Sequence, residues 1–215
     1  MLNTVLPKIH KEGYRFLAIA IVITFVCLLV SKILGLIAIL LTVWVYYFFR
    51  DPDRISIQDE NFLVSPADGL ISNISEVDGP VELSLENKKF TKISIFMNVF
   101  NCHVNRTPCS GRVEDIFYKP GKFLNASLDK ASEENERNYY KIKTAKGDSI
   151  IIVQIAGLIA RRIVCETEVN QSLKQGERIG MIRFGSRVDV YFNNRTLLAK
   201  IGQNVVAGES LIAVE

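Results

Sequence analysis

The sequence has little histidine and little cysteine, with two His and four Cys among 215 residues. Three of the cysteines, Cys102, Cys109 and Cys165, follow residue 49, and none has Cys-x-x-Cys spacing. Zinc sites and disulfide frameworks use paired or regularly spaced cysteines. The sequence therefore predicts reduced thiols, no metal site and no disulfide scaffold.

An excess of charge is also lacking over most of the chain. The formal net charge is +3, and the first 49 residues account for all of it, because they hold four basic side chains against Glu12. Residues 50–215 are therefore neutral. Since binding to a phosphate backbone requires a basic surplus, we expect no nucleic-acid partner.

What the first quarter does contain is a long apolar run. Residues 16–49 include one charge, Lys32. A continuous helix of this length would reach about 50 Å, whereas the hydrocarbon core of a bilayer is about 30 Å thick. The break at Ser31-Lys32 divides the run into residues 16–30 and 33–49. We predict that residues 1–49 form a membrane anchor, either a helical hairpin or two short inserted helices.

Basic residues flank this run on both sides. Lys8, Lys11 and Arg15 precede it, and Arg50 and Arg54 follow it. The positive-inside rule then places both ends on the cytoplasmic side of the cell membrane. The alternative is a cleaved signal peptide, but the run is too long and no small-residue cleavage site follows it.

Residues 50–215 are predicted to form one compact antiparallel β barrel or sandwich. Apolar residues alternate along 93–99, as in a half-buried strand, and turn residues separate similar runs, including 81–85 and 205–214. Segments 174–179 and 206–211 share a Gly-Glu pattern that is typical of barrel-sandwich modules. The polar segment 129–138 is predicted to be a mobile loop.

Few residues of this domain are suited to chemistry. His103 is the one histidine after residue 49, so any histidine-based proton transfer in the domain requires it. Asp68 is followed by Gly69, and an Asp-Gly pair is also explained by turn formation alone. For His103, a hydrogen-bonded structural role is the corresponding alternative.

The Gly185-Ser186 pair is the third candidate, because it interrupts an otherwise continuous strand pattern over 179–192. A glycine has no Cβ, so a nucleophile can approach its carbonyl carbon closely. The Ser186 hydroxyl is next to that carbonyl along the chain, as an N-to-O acyl shift requires. A β-bulge containing a glycine is the alternative interpretation.

Together these segments resemble phosphatidylserine decarboxylase in its short subfamily. The resemblance rests on residues 49–52 (FRDP), 65–69 (SPADG), 98–108 (NVFNCHVNRTP) and 184–186 (FGS), in the order of that family and across essentially the whole chain. It implies a proenzyme that cleaves itself between Gly185 and Ser186. The products would be a β subunit, 1–185, and an α subunit, 186–215.

The resemblance also implies the cofactor and the reaction. Ser186 would become a pyruvoyl group, with no metal and no pyridoxal phosphate. Its ketone would form a Schiff base with the serine amine of phosphatidylserine and accept the electron pair released with CO2. The product would be phosphatidylethanolamine. The implied partners are phosphatidylserine in the membrane and the two associated fragments, with a homo-oligomer left open.

Site roles follow residue by residue from the same resemblance. His103 is implied as the general acid-base residue near the pyruvoyl group, and Asp68 as a residue that orients it or assists self-cleavage. Long-form members have a second histidine where this chain has Arg106. Either His103 serves both steps, or cleavage relies on strain and an oxyanion site. Arg106 is expected instead to bind the substrate carboxylate or phosphate, because its planar guanidinium suits either anion.

Two other functions compete with this interpretation. One is a membrane-anchored barrel-sandwich adaptor without catalysis, which would tolerate substitution of Ser186. The other is a hydrolase with Ser186 as an ordinary nucleophile, which the absence of a Gly-x-Ser-x-Gly motif disfavours.

Overall fold

The computed structural model describes residues 7–124, 134–158, 162–183 and 186–215. The chain divides into two compact units, Met1–Asp53 and Arg54–Glu215. The first unit is helical and the second is mainly β, so the prediction of a mainly β fold preceded by apolar helices is confirmed.

Two helices make up most of the first unit, α1 (Gly13–Val30) and α2 (Lys32–Phe48). Ser31 is extended, with φ −157°, and separates them. The hydroxyls of Thr24 and Thr42 lie 2.8 Å apart across the pair, and such hydrogen bonds hold apolar helices together. The helices therefore pack as a hairpin. By length and composition, α1 can cross a membrane, with a mean hydropathy of 2.3.

The second unit consists of short strands joined by turns. In chain order they are β1 (Phe62–Val64), β2 (Gly69–Asp78), β3 (Lys89–Met97), β4 (Val104–Arg106), β5 (Gly111–Lys119), β6 (Arg137–Lys143), β7 (Ser149–Ile155), β8 (Arg162–Cys165), β9 (Ser172–Leu173), β10 (Arg178–Arg183), β11 (Ser186–Phe192), β12 (Thr196–Leu197), β13 (Asn204–Val205) and β14 (Leu211–Val214).

These strands form one large antiparallel sheet and two small ones. The large sheet has the order β13-β2-β3-β11-β7-β6-β5-β9, and the small sheets have the orders β1-β14-β12 and β4-β10-β8. Strand β11 lies in the centre of the large sheet, with Val188 and Val190 in the main hydrophobic core beside Ile93 and Ile95 of β3. This central place fixes the position of Ser186, the first residue of β11.

Two predicted strands differ in the structure. The run 81–85 begins with a 3-10 helix, Val81–Leu83, because Ser84 has φ +54° and the amide of Leu85 donates to the carbonyl of Pro80. The run 205–214 is divided between β13 and β14, because Gly208 turns the chain with φ +76°.

The prediction of a mobile loop over 129–138 is wrong for its last residues. Arg137 and Asn138 begin β6, and both are buried. Asn135 is also buried, and its amide donates to the carbonyls of Leu124 and Ala156 at 2.8 and 2.7 Å. Polar side chains tolerate burial when they are hydrogen-bonded, so their polarity did not indicate exposure here. The rest of this prediction, residues 129–133, lies outside the described residues.

Candidate active site

Strand register determines the position of Ser186. It pairs with Met97, the last residue of β3, and the next residue, Arg187, pairs with Ile155, the last residue of β7. Strand β10, which precedes it, pairs instead with β4 and β8. The chain therefore passes from one sheet to another between β10 and β11. Phe184 and Gly185, including the predicted cleavage residue Gly185, lie outside the described residues.

The hydroxyl of Ser186 is buried and forms no hydrogen bond within the described residues. Its side chain has no exposed surface, and Oγ has no hydrogen-bond partner among the described residues. Burying a hydroxyl without a partner costs about 1–3 kcal/mol in proteins. Ser56 and Ser75 also have a buried hydroxyl without a partner among the described residues, but Ser186 is the one that directly follows the predicted cleavage residue in the sequence. An uncommitted hydroxyl is what an attack on a neighbouring carbonyl requires.

His103 lies at the same end of the large sheet. Its carbonyl accepts a hydrogen bond of 3.3 Å from the amide of Ile182, four residues before Ser186. The side chain is fully buried, and Nδ1 lies 3.0 Å from the carbonyl oxygen of Asn101. Because a carbonyl can only accept, Nδ1 donates, and Nε2 is the basic nitrogen of the neutral ring.

A buried polar network adjoins these residues, and the sequence analysis missed it. Asn105 donates to the sulfur of Met97 at 3.6 Å, Gln154 donates to Asn105 at 2.9 Å, and Tyr140 donates to Gln154 at 2.7 Å. Burial raises the pKa of Tyr140 well above its ordinary value, so its hydroxyl remains a donor. The sequence feature that could have indicated this network is Gln154, because it is the one polar residue in the apolar run 150–156.

Asp68 lies at the same edge of the sheet as Ser186, two strands away. Leu70 of β2 pairs with Phe96 of β3, and Phe96 pairs with Arg187 of β11. At a strand spacing of about 4.8 Å, the backbones of Leu70 and Arg187 are therefore about 10 Å apart. The Asp68 carboxylate accepts from Arg54 at 2.9 Å and from the amide of Ala207 at 2.8 Å. These bonds anchor the turn that precedes β2.

Arg106 lies at the other end of β10 from this edge. It pairs with Arg178, its side chain is buried, and Nη1 donates to the carbonyl of Gly176 at 2.8 Å. Gly176 has φ +79°, which favours glycine and makes a tight turn. Ser186 and His103 lie at the same strand ends, whereas Arg106 lies beside the turn that contains Asp68, because its amide donates to the carbonyl of Pro66 at 2.9 Å.

The cysteines differ in their environment. Cys109 is buried, and burial raises its pKa to about 12, whereas Cys165 is exposed. At pH 8 the Cys109 thiol therefore stays protonated, and the thiolate is the reactive form. No group of three His, Cys, Asp or Glu residues suited to a metal ion occurs within the described ranges.

This difference predicts selective alkylation. Iodoacetamide at pH 8 is expected to modify Cys165 in the folded protein within minutes and to leave Cys109 unmodified until urea is added. Peptide mapping by mass spectrometry measures both sites in one sample. Equal modification of the two cysteines in the folded protein would contradict the burial of Cys109.

Comparisons with known proteins agree on one family. A family model described as phosphatidylserine decarboxylase matches residues 41–213. The phosphatidylserine decarboxylase proenzyme of Pelagibacter ubique (strain HTCC1062) is 68% identical over 213 residues, covering 99% of each chain. The proenzyme of Ruegeria pomeroyi is 50% identical, covering 99% of this chain and 98% of its own. That of Rickettsia typhi is 48% identical, covering 98% and 92%.

Proposed function

Since the chain belongs to the phosphatidylserine decarboxylase family, we propose that Ser186 is the residue on which its reaction depends. The chain is an enzyme that removes CO2 from phosphatidylserine, and it is made as a proenzyme. We propose that self-cleavage between Gly185 and Ser186 generates its pyruvoyl group. The buried Ser186 hydroxyl without a partner is the observation that supports this most directly.

In the proposed cleavage, Ser186 Oγ attacks the carbonyl carbon of Gly185, and the peptide bond is replaced by an ester. Loss of the α-proton of residue 186 then expels the Gly185 carboxylate, leaving a dehydroalanine at residue 186. Addition of water and loss of ammonia convert it to the pyruvoyl group. That group supplies a ketone that takes up the substrate amine and the electron pair released with CO2.

His103 is proposed to transfer protons in this site. Its Nδ1 donates to Asn101, which holds the ring and directs the basic Nε2 away from that carbonyl. The carbon that loses CO2 must be protonated, and a buried imidazole can deliver that proton without competition from bulk water. Asp68 is proposed to position this edge of the sheet through Arg54 and Ala207.

The role of Arg106 in binding a substrate anion stays a prediction, and its contact with Gly176 supports a structural role. Arg106→Ala leaves the Gly176 carbonyl without this donor, so we expect a loss of about 1–3 kcal/mol in the free energy of unfolding. Urea denaturation measures it. A raised KM with unchanged stability would instead favour substrate binding.

The two fragments are expected to remain associated after cleavage. Residues 186–215 include β11, which pairs with β3 from Ser186 to Phe192, and β14, which pairs with β1. Removing a central strand would expose the core on both neighbours. The fragments should therefore coelute in size-exclusion chromatography and separate in 6 M guanidinium chloride. Separation without denaturant would contradict this pairing.

The apolar helices support membrane attachment. We propose that α1 and α2 anchor the chain in the cell membrane, with Arg54–Glu215 on the cytoplasmic side. The basic residues on both sides of the helices support this orientation. A substrate with two acyl chains stays in the bilayer, so an anchored enzyme meets it there.

Two measurements on freshly purified protein test the function. Intact mass under denaturing conditions should give a fragment ending at Gly185 and a second one beginning with a blocked residue 186. The same protein should release CO2 from phosphatidylserine in detergent micelles. A single uncleaved chain in an active preparation would refute the role of Ser186, and an adaptor without catalysis would release no CO2.

A further inference from the structure

Two exposed apolar side chains flank the start of β11. Strands β3 and β7 are its two neighbours, and both end beside it, at Met97 and Ile155. Just beyond those ends, Phe100 is 62% exposed and Leu158 is 65% exposed. One large exposed apolar side chain therefore follows, three residues on, the end of each strand that flanks β11.

Phe100 is held in this exposed position by its turn. The amide of Asn98 donates to the side chain of Asn101 at 2.9 Å, and the amide of Phe100 donates to the side chain of Asn98 at 2.8 Å. The same turn orients His103 through the Asn101 carbonyl. Exposed apolar groups around a functional site are typical of surfaces that contact a protein or a membrane.

Two arginines lie at strand ends close to these residues along the chain, Arg183 at the end of β10 and Arg162 at the start of β8. Arg183, three residues before Ser186, pairs with Arg162 across β10 and β8. Glu136, whose carboxylate accepts from the amide of Ile163 at 3.3 Å, offsets part of this charge. The edge thus combines apolar tips with a pair of guanidinium groups that suits phosphate.

We infer that this edge, defined by Phe100, Leu158, Arg162 and Arg183, docks on an anionic lipid surface. The apolar tips enter the interface, and the arginines meet lipid phosphates. The occupant is the bilayer that contains the diacyl substrate, because the reacting residue begins the strand between β3 and β7, and the two apolar residues follow the ends of those strands. The inference rests on the proposed function and adds to it the surface through which the substrate arrives.

The test compares one enzyme on two forms of substrate. The full chain is reconstituted in phosphatidylcholine vesicles containing phosphatidylserine, and CO2 release is measured there and with monomeric dibutanoyl phosphatidylserine in detergent. Phe100→Ser and Leu158→Ser should each lower the rate on vesicles roughly tenfold, as expected for losing the burial of one large apolar side chain. The rate on the monomeric substrate should change less than about twofold, within the scatter of surface substitutions.

Val81→Ser is the matched apolar control. Val81 is 65% exposed, like Leu158. It follows Asp78, which ends β2 on the side of the sheet opposite to Ser186. Arg162→Gln should lower the rate on vesicles and weaken its dependence on anionic lipid, and Lys88→Gln, before the far end of β3, is its control. We expect both controls to match the parent enzyme on both substrates.

The outcomes separate the inference from the function. Equal losses on vesicles and on monomeric substrate would overturn docking, because the side chains would then act within the site. No loss on either substrate, or equal losses in the controls, would also overturn it. Failure of the parent enzyme to cleave itself and to release CO2 from both substrates would instead contradict the proposed function.

Discussion

Ser186→Ala is expected to abolish self-cleavage and decarboxylation together. Without Oγ no ester can form with Gly185, and without cleavage there is no pyruvoyl group. The rate of CO2 release should fall by roughly 10⁴-fold or more, the scale seen when a nucleophile is removed. Denaturing gels should show one chain of 215 residues in place of two fragments.

The same substitution should leave the folded protein as stable as before, or more stable. Ser186 Oγ is buried without a partner among the described residues, so removing it relieves an unsatisfied polar group. The urea midpoint of the uncleaved Ser186→Ala protein should therefore equal or exceed that of the proenzyme. This combination of lost function and retained stability distinguishes a reacting hydroxyl from a structural one.

Ser94→Ala is the matched control for this prediction. Ser94 is also a buried serine, and it lies on the neighbouring strand β3, opposite Asp189 of β11. We expect the Ser94 variant to cleave and to release CO2 at the parent rate. Normal cleavage of Ser186→Ala would rule out the mechanism proposed here.

The fold class could be predicted from local patterns, whereas the sheet order could not. Period-two alternation indicates a strand, and a long apolar run indicates a helix, because both patterns are local. The pairing of β11 with β3 and β7 joins segments about 90 and 35 residues apart. Alternation shows which face of a strand is apolar but not which strand lies beside it. That Ser186 and His103 lie at the same end of the sheet could therefore be seen only in the structure.

The site residues that could be predicted from the sequence are those that stand out, either as a rare residue type or as a break in a pattern. His103 is the one histidine after residue 49, and Gly185-Ser186 interrupts a strand pattern. Gln154 and Asn105 were missed because a polar residue in a strand also suits the solvent face. Their burial depends on partners from other strands. Arg106 was a candidate, but its partner could not be predicted, because Gly176 is 70 residues away along the chain.

His103→Gln is expected to give the second large effect. Glutamine is similar in length and can donate to the Asn101 carbonyl, as Nδ1 does, but it cannot take up a proton. Removing a positioned general acid-base residue lowers rates by about 10²–10⁴-fold. We expect a loss of this size in CO2 release from phosphatidylserine, with KM nearly unchanged, because the substitution keeps the shape of the site.

Cleavage of the same variant decides whether His103 serves decarboxylation alone or self-cleavage as well. The question arises because Arg106 stands where long-form members have a second histidine. If His103 serves decarboxylation alone, His103→Gln cleaves completely, and its fragments match those of the parent by mass. If it serves both steps, the uncleaved chain accumulates. His10→Gln is the control, because His10 is the other histidine and lies in the first unit. Parent rates of both cleavage and CO2 release in His103→Gln would show that proton transfer uses another group, and the buried imidazole beside Asn101 would then be structural.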